Sequence, residues 1–312
     1  MIYKGAQVRS RCYLTSLKAS RTASFKLAMS AQYLSPQAWF ESGYQKMMGS
    51  PASEFRFVPG VTFMSTYREV LLACVGYLVL VFGGQLLMKS RKPIQLANLF
   101  RIHNAFLTVL SFGLWVLLLE NTIPLVFKEG PFNAVCSPNS FTQQLELLYY
   151  INYLTKFYEL LDTCFLVLRK KSLKFLHWYH HSMTALLCFT QLEGRTSVSW
   201  VPVLLNLGVH VLMYYYYFLA TFNIKVWWKK SITVLQITQF VIDLAVIYFC
   251  FYTQYTYKYG GSTFGSCSGG EFAAYFGAGL LSSYLLLFVE FFFKAYKKPA
   301  AKPTEKIASK TL

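Results

Sequence analysis

Seven apolar stretches alternate with short polar segments along the chain. Each stretch is rich in Leu, Val, Phe and Ala and approaches or exceeds the roughly 20 residues that an α-helix needs to cross a bilayer. Within a bilayer the backbone must satisfy its own polar groups, so such stretches predict helices. The sequence therefore predicts an all-α polytopic membrane protein with seven transmembrane helices, near residues 67–88, 104–127, 142–168, 177–194, 199–221, 232–253 and 272–293.

Polar side chains interrupt these stretches, and the tightest group is a histidine cluster at the start of the fourth one. His177, His180 and His181 are spaced i, i+3 and i+4, so a helix places all three imidazoles on one face. An ionisable side chain is costly in hydrocarbon. The cluster therefore indicates a functional site.

The other polar groups lie at the same end of their stretches. Each stands close to a segment rich in Lys or Arg, whereas the opposite halves are mostly apolar. This asymmetry predicts a bundle around a pocket with a polar mouth and an apolar floor, which suits a long acyl chain with a reactive head. The groups are Arg101, His103 and Asn104; Lys156, Glu159, Asp162 and Thr163; His210, Met213, Tyr214, Tyr216 and Tyr217; and Thr233, Gln236 and Gln239.

Composition and charge narrow the class of protein. Charged residues make up 14% of the chain and hydrophobic residues 55%, whereas about a quarter of a soluble domain is charged. The net charge of +17 comes from clusters between the stretches and in the tails, which suits anionic lipid and acidic substrates rather than nucleic acid. The positive-inside rule then places the C-terminus, and the polar groups, on the cytoplasmic side.

The same pattern divides the chain into three parts. Residues 1–66 form a basic extension that we predict to be poorly ordered, and its many Lys, Arg and Ser residues are typical of a transit peptide or a disordered tail. We predict that residues 67–293 form the seven-span membrane domain that carries the polar groups. Residues 294–312 form a Lys-rich cytoplasmic tail.

Four motifs, in order along the chain, resemble those of a known family. They are Lys156-x-x-Glu159-x-x-Asp162-Thr163, His177-x-x-His180-His181, Asn206-x-x-x-His210-x-x-Met213-Tyr214-x-Tyr216-Tyr217 and Thr233-x-x-Gln236-x-x-Gln239. In addition, Ile102-His103-Asn104 stands where the family has Leu-His-Asn. Through these motifs residues 67–298 resemble the ELO family of very-long-chain fatty acid elongases of the endoplasmic reticulum, and its fungal members most.

The resemblance implies a condensing enzyme. Such an enzyme joins a long-chain acyl-CoA with malonyl-CoA, releases CO2 and CoA, and gives a 3-oxoacyl-CoA two carbons longer, with no cofactor or metal. The resemblance also implies an acyl-chain tunnel enclosed by helices two to seven, and His180 as the nucleophile that forms an acyl-histidine. Enolate formation from malonyl-CoA needs hydrogen-bond donors, for which His181, His210 and Asn206 are candidates.

The matched motifs assign roles to the remaining polar residues. The other residues implied to be catalytic are His177, Asp162 and Glu159. Those implied to bind substrate are Lys156, Asn206, Met213, Tyr214, Tyr217, Gln236, Gln239, Thr163 and Asn104.

The resemblance carries three further expectations. It implies a disulfide between Cys136 and Cys267, which the oxidising lumen would preserve. Basic residues at the mouth, such as Lys156, Arg169 and Lys170, suit the phosphates of CoA. The expected partners are the two CoA thioesters, membrane lipid, the reductase and dehydratase of the elongation cycle, and a second copy in a homodimer.

Three alternatives stand beside this interpretation. Cys164 follows Thr163 directly and is a rival nucleophile, because thiol-based condensing enzymes use cysteine. A membrane di-iron desaturase or hydroxylase also carries a His-x-x-His-His motif, but it needs about eight histidine ligands and this chain has 5. A transporter or seven-helix receptor is a non-enzymatic alternative, although a transporter places polar groups in both halves of the membrane.

Overall fold

The computed structural model describes residues 35–261 and 264–296, and these residues contain helices and no β-strand. The prediction of an all-α protein is confirmed for this part of the chain. Residues 1–34 of the predicted extension and 297–312 of the predicted tail lie outside the description. The α-helices within it are α1 (Pro36–Met48), α2 (Tyr67–Met88), α3 (Ala97–Cys136), α4 (Gln143–Glu159), α5 (Leu161–Leu168), α6 (Phe175–Glu193), α7 (Trp200–Ala220), α8 (Lys229–Lys258) and α9 (Glu271–Tyr296).

Five segments of the described chain are long and apolar enough to cross a membrane. They are α2, α3, α7 with the turn before it (Ser197–Ala220), α8 and α9. The chain is therefore a multi-pass membrane protein. The other two predicted spans do not reach this standard: the third breaks at Leu160 between α4 and α5, and α6 carries the histidine cluster. The polar side chains in these helices lower their mean hydropathy. The count of seven transmembrane helices therefore stays a prediction.

Helix α3 extends well beyond the predicted range of 104–127. Its backbone leaves helical geometry at Gly130, where φ is +78°, and Pro131 follows. Glycine adopts this conformation without steric cost, and proline has no N–H to place in a helical bond. The resulting bend directs the last turn of α3, which ends at Cys136, towards the loop before α9.

Six helices form a ring. In order, α3 packs on α7, α7 on α8, α8 on α9, α9 on α6, α6 on α4 and α4 on α3, while α2 packs on α5 and α6. One apolar core lies among α3, α4, α6 and α7, and a second joins α8 to α9. Between these cores the ring encloses a cavity lined by α4, α6, α7, α8 and α9.

Residues 35–66 have a defined structure, unlike the poorly ordered extension predicted for residues 1–66. Glu120 of α3 accepts hydrogen bonds from the Ser35 hydroxyl and from the N–H of Gln37, the latter at 2.9 Å. Glu146 of α4 accepts one from the N–H of Phe57 at 3.0 Å. These partners are 83 to 89 residues apart in sequence, so local sequence could not reveal the docking.

The end of the cavity far from the histidine cluster is closed by a loop. Cys136 and Cys267 form a disulfide, the pairing that the resemblance implies. The N–H of Ser268 donates to the carbonyl of Cys136 at 2.8 Å, and the N–H of Ser197 donates to the carbonyl of Ser268 at 3.1 Å. Residues 267 and 268, which precede α9, are thereby held against the end of α3 and the start of α7.

Replacing Cys136 and Cys267 together by serine is expected to lower the free energy of unfolding by about 2–5 kcal/mol. The bridge joins residues 131 apart, so its loss releases a long loop in the unfolded chain. Thermal unfolding of the purified protein in detergent measures the change. Cys250→Ser is the matched control, because that cysteine lies close to the bridge but remains a free thiol. Equal melting temperatures for the double variant and the control would contradict the expectation.

Candidate functional site

The histidine cluster at the start of α6 brings three imidazoles together. The ring centroids of His177 and His181 are 4.6 Å apart, and those of His180 and His181 are 5.6 Å apart. Of the three, His180 lines the cavity. Its ring also contacts those of Tyr284 and Phe288 on α9, at 4.7 and 5.7 Å. The shared face predicted from sequence exists, and packing against α9 selects which imidazole faces the cavity.

Two hydroxyl groups fix the backbone of His180. Its carbonyl accepts hydrogen bonds from Thr184 Oγ1 at 2.6 Å and from Tyr284 OH at 3.2 Å. Neither donor belongs to the motifs. Thr184 follows His180 by four residues, a spacing that could have identified it. Tyr284 is 104 residues away and has no comparable signal in the sequence.

Replacing Tyr284 by phenylalanine is expected to lower kcat about five- to tenfold, because it removes one buried hydrogen bond that holds His180 in place. Initial rates of malonyl-CoA incorporation, normalised to the amount of protein, measure the change. Tyr248→Phe makes the same chemical change at an exposed tyrosine that contacts Ser282, and it should leave kcat unaltered. A Tyr284→Phe rate equal to that of the control would refute this role.

A charged network lies between α4 and α7. Lys156 Nζ donates to Glu159 Oε1 and to Asn206 Oδ1, each at 3.0 Å. His210 Nδ1 lies 3.3 Å from the same Glu159 oxygen. Lys156 and Glu159 are each 2% exposed, so each charge compensates the other where water is excluded. Lys156 and Asn206 also line the cavity.

A second network is built around Asp162 at the start of α5. Its Oδ1 is 2.8 Å from His103 Nε2 on α3, and its Oδ2 accepts a hydrogen bond from Tyr214 OH on α7 at 2.9 Å. The rings of Tyr214 and His210 are 5.3 Å apart, which joins this network to the first. Helices α3, α4, α5 and α7 therefore contribute to one connected set of polar side chains, whereas the set predicted from sequence also includes the polar groups of α6 and α8.

The cavity has a volume of about 170 Å³. Lys156, His180 and Tyr284 line one end, and Gln254 and Cys267 line the other. On α8 the lining residues run from Gln239 to Gln254, a rise of about 22 Å along the helix axis. The cavity is therefore long and narrow, with the histidine cluster at one end.

Few of the residues predicted to bind substrate line this cavity. Those that do are Lys156, Asn206 and Gln239. The Nε2 of Gln239 is 3.4 Å from Oδ2 of Asp243, a lining residue that no motif includes. Its position four residues after Gln239 places it on the same helical face, which is the signal that could have identified it.

The other residues predicted to bind substrate lie outside the cavity lining, and several of them connect helices. Thr163 accepts a hydrogen bond from Tyr77 OH at 2.7 Å and so ties α5 to α2. The sulfur of Met213 on α7 accepts one from Gln236 Nε2 on α8 at 3.6 Å. The remaining residues of this group, also outside the lining, are Asn104, Tyr214 and Tyr217.

The lining of the cavity is mostly apolar, as the sequence predicts, but polar side chains also reach its far end. The loops after α6 and α8 fold inward beneath the ring and contribute to the lining there. The sequence pattern describes the apolar halves of the helices and does not show where these loops lie. The polar residues there are Thr196, Ser197, Ser199, Gln254, Ser268 and Glu271.

The basic residues predicted to bind phosphate have other partners in the structure. Lys156 is buried in the network described above. Lys170 Nζ donates to two backbone carbonyls of the loop between α2 and α3, at 3.0 and 3.1 Å. The Arg169 guanidinium lies 5.2 Å from the centre of the Phe100 ring. The contacts of Lys170 and Arg169 join helix ends, and Lys156 already has two buried partners, so phosphate binding by these three residues stays a prediction.

Comparison with known proteins agrees with this arrangement of motifs. The family model described as "ELO: GNS1/SUR4 family" matches residues 62–304. The chain belongs to the ELO family. It is 48% identical to "Putative fatty acid elongase 1" of Schizosaccharomyces pombe, over 86% of this chain and 81% of that protein. It is 43% identical to "Putative fatty acid elongase 2" of the same organism, over 85% and 73%. It is 37% identical to "Fatty acid elongase A" of Dictyostelium discoideum, over 79% and 90%.

Family membership confirms the resemblance inferred from the motifs, including its fungal character. It disfavours the transporter, the receptor and the di-iron enzyme. Among the described residues, the group of close-set ligand atoms that could hold a metal is Cys136, Cys250 and Cys267, of which two form the disulfide. The rival nucleophile Cys164 is half-buried and does not line the cavity.

Proposed function

We propose that the protein is the 3-oxoacyl-CoA synthase of fatty acid elongation, which condenses a long-chain acyl-CoA with malonyl-CoA. Fatty acid elongation is the function supported by the family and by the named relatives. The observation that carries the condensing role is the position of His180, whose imidazole lines one end of a narrow cavity about 22 Å long. A nucleophile there meets the thioester while the acyl chain lies along the cavity.

In the first step, a neutral imidazole nitrogen of His180 attacks the thioester carbonyl of the acyl-CoA. The C–S bond breaks, CoA leaves as its thiol, and an acyl-imidazole remains. Imidazole is a competent nucleophile near neutral pH and a good leaving group once acylated. Thr184 and Tyr284 hold the His180 backbone through its carbonyl, so the ring keeps its position during attack.

In the second step, malonyl-CoA loses CO2 and its enolate carbon attacks the acyl-imidazole. A C–C bond forms, the C–N bond to His180 breaks, the departing imidazole takes up one proton from solvent, and the 3-oxoacyl-CoA leaves. The enolate oxygen needs fixed donors. Asn206 uses its Oδ1 to accept from Lys156, which leaves its amide N–H groups for donation. His210 directs Nδ1 towards Glu159, which leaves Nε2, and His181 is a third candidate.

The proposal also covers the membrane topology, the compartment and the partners of the enzyme. The α4–α5 pair and α6 supply the two remaining membrane crossings, and the cavity is the acyl-chain tunnel. The histidine cluster and the C-terminus face the cytoplasm, while the disulfide lies in the lumen of the endoplasmic reticulum. The reaction uses no cofactor beyond the two CoA thioesters. The proposed partners are a second copy of the chain and the reductase and dehydratase that consume the product.

A microsomal assay tests the reaction directly. Microsomes that contain the protein receive labelled malonyl-CoA and a panel of acyl-CoA primers, and product lengths are determined. We expect 3-oxoacyl products two carbons longer than at least one class of primer, with one CO2 released per addition. Absence of two-carbon extension with every primer, from protein shown to be folded, would exclude the proposed function.

A further inference from the structure

Three polar side chains in the middle of the cavity have an atom without a hydrogen-bond partner among the described residues. They are Tyr149 (OH) and Asn152 (Oδ1) on α4, and Asp243 (Oδ1) on α8. All three residues line the cavity and all are buried, Asp243 at 0% exposure. Buried polar groups are nearly always paired in folded proteins. Three unpaired groups around one cavity therefore indicate a binding feature.

These groups, which we call the polar collar, lie deeper in the cavity than the catalytic residues. Helix α4 runs towards the histidine cluster, and Asn152 and Tyr149 precede Lys156 by about 6 and about 10 Å along the axis. Helix α8 runs away from the cluster, and Asp243 lies about 6 Å beyond Gln239. Phe240 on α8 and His180 on α6 both pack on Tyr284. This part of α8 therefore lies at the end of the cavity that holds the histidine cluster, and Asp243 lies farther from that end.

A plain hydrocarbon chain is a poor fit to the polar collar. Its methylene groups exclude water yet offer no hydrogen bond, so all three polar atoms would stay unpaired. A hydroxyl group offers one donor and two lone pairs. It can donate to the carboxylate of Asp243 or to the carbonyl of Asn152, or it can accept from the phenol of Tyr149. A site built to bind a hydroxyl discriminates strongly against an analogue that lacks it.

We propose that the polar collar is a subsite for an acyl chain that carries a hydroxyl group several carbons from the thioester. The inference rests on the proposed function, since it names the substrate class of the same cavity. The nucleophile His180 and the networks around Glu159 and Asp162 keep their roles. The polar collar selects which acyl chain can occupy the cavity beneath these residues.

The test uses the full-length protein in microsomes. Acyl-CoA primers of one length, each with a single hydroxyl at a successive carbon, are compared with the unsubstituted primer by kcat/KM for two-carbon extension. We expect one position, or two adjacent ones, to exceed the unsubstituted primer at least about tenfold. Equal or lower values at every position would overturn the inference and leave elongation intact. Failure to extend any primer would remove both proposals.

Two variants test whether the preference for a hydroxylated primer arises from the polar collar. Asp243→Leu and Asn152→Leu should each reduce the ratio of kcat/KM between the preferred hydroxylated primer and the plain primer at least about fivefold. The matched control is Ser111→Ala, since Ser111 is likewise buried and unpartnered among the described residues but does not line the cavity. Its ratio should equal that of the unmodified protein. If both leucine variants keep the full ratio, the polar collar does not select the substrate.

Discussion

His180→Ala is expected to abolish two-carbon extension, with kcat falling by at least roughly 10⁴-fold. The imidazole of His180 is the one in its cluster that lines the cavity, and without it no acyl-imidazole can form. Two measurements check this: incorporation of labelled malonyl-CoA, and intact-protein mass after incubation with acyl-CoA alone. The unmodified protein should gain the mass of one acyl group, and the variant should gain none.

Two further variants test whether the loss of the acyl adduct is specific to His180. His177→Ala removes an imidazole of the same cluster that does not line the cavity, so it should reduce the rate but still allow the acyl adduct to form. Cys164→Ala removes the rival nucleophile and should also retain the adduct. An acyl adduct trapped on His180→Ala, or lost from Cys164→Ala, would move the nucleophile away from His180.

Glu159→Gln is expected to destabilise the protein by about 3–5 kcal/mol and to reduce activity. It leaves the Lys156 ammonium, at 2% exposure, without a counter-charge and with only neutral oxygens, such as Oδ1 of Asn206, as acceptors. A buried charge without its counter-charge costs this much, and His210 loses the carboxylate at 3.3 Å. Thermal unfolding of the purified protein in detergent measures the change in stability.

A double-mutant cycle separates this pairing from a general loss of packing. Lys156→Met with Glu159→Gln removes both charges, and we expect it to recover more than half of the stability lost in Glu159→Gln alone. Glu290→Gln is the surface control, because its partner Lys294 is exposed; it should change stability little. A double variant no more stable than Glu159→Gln alone would contradict the proposed charge compensation.

The sequence was most informative where chemistry depends on residues close together in the chain. The spacing of His177, His180 and His181 is sufficient to place their rings together, because helical geometry fixes which residues share a face. The pair of Lys156 and Glu159, three residues apart, follows from the same rule. In contrast, the partners of Asp162 come from α3 and α7, and nothing local identifies His103 or Tyr214 as those partners.

The sequence by itself determined the class of protein, because long apolar segments in so weakly charged a chain are stable only in a bilayer. It also determined the motifs, which occur in order along the chain, and through them the family. Only the tertiary structure decided which polar residues reach the cavity, because that depends on how each helix is rotated against its neighbours. Packing on Tyr284 and Phe288 turns His180 inward, and inward-folding loops add polar groups to an otherwise mostly apolar floor.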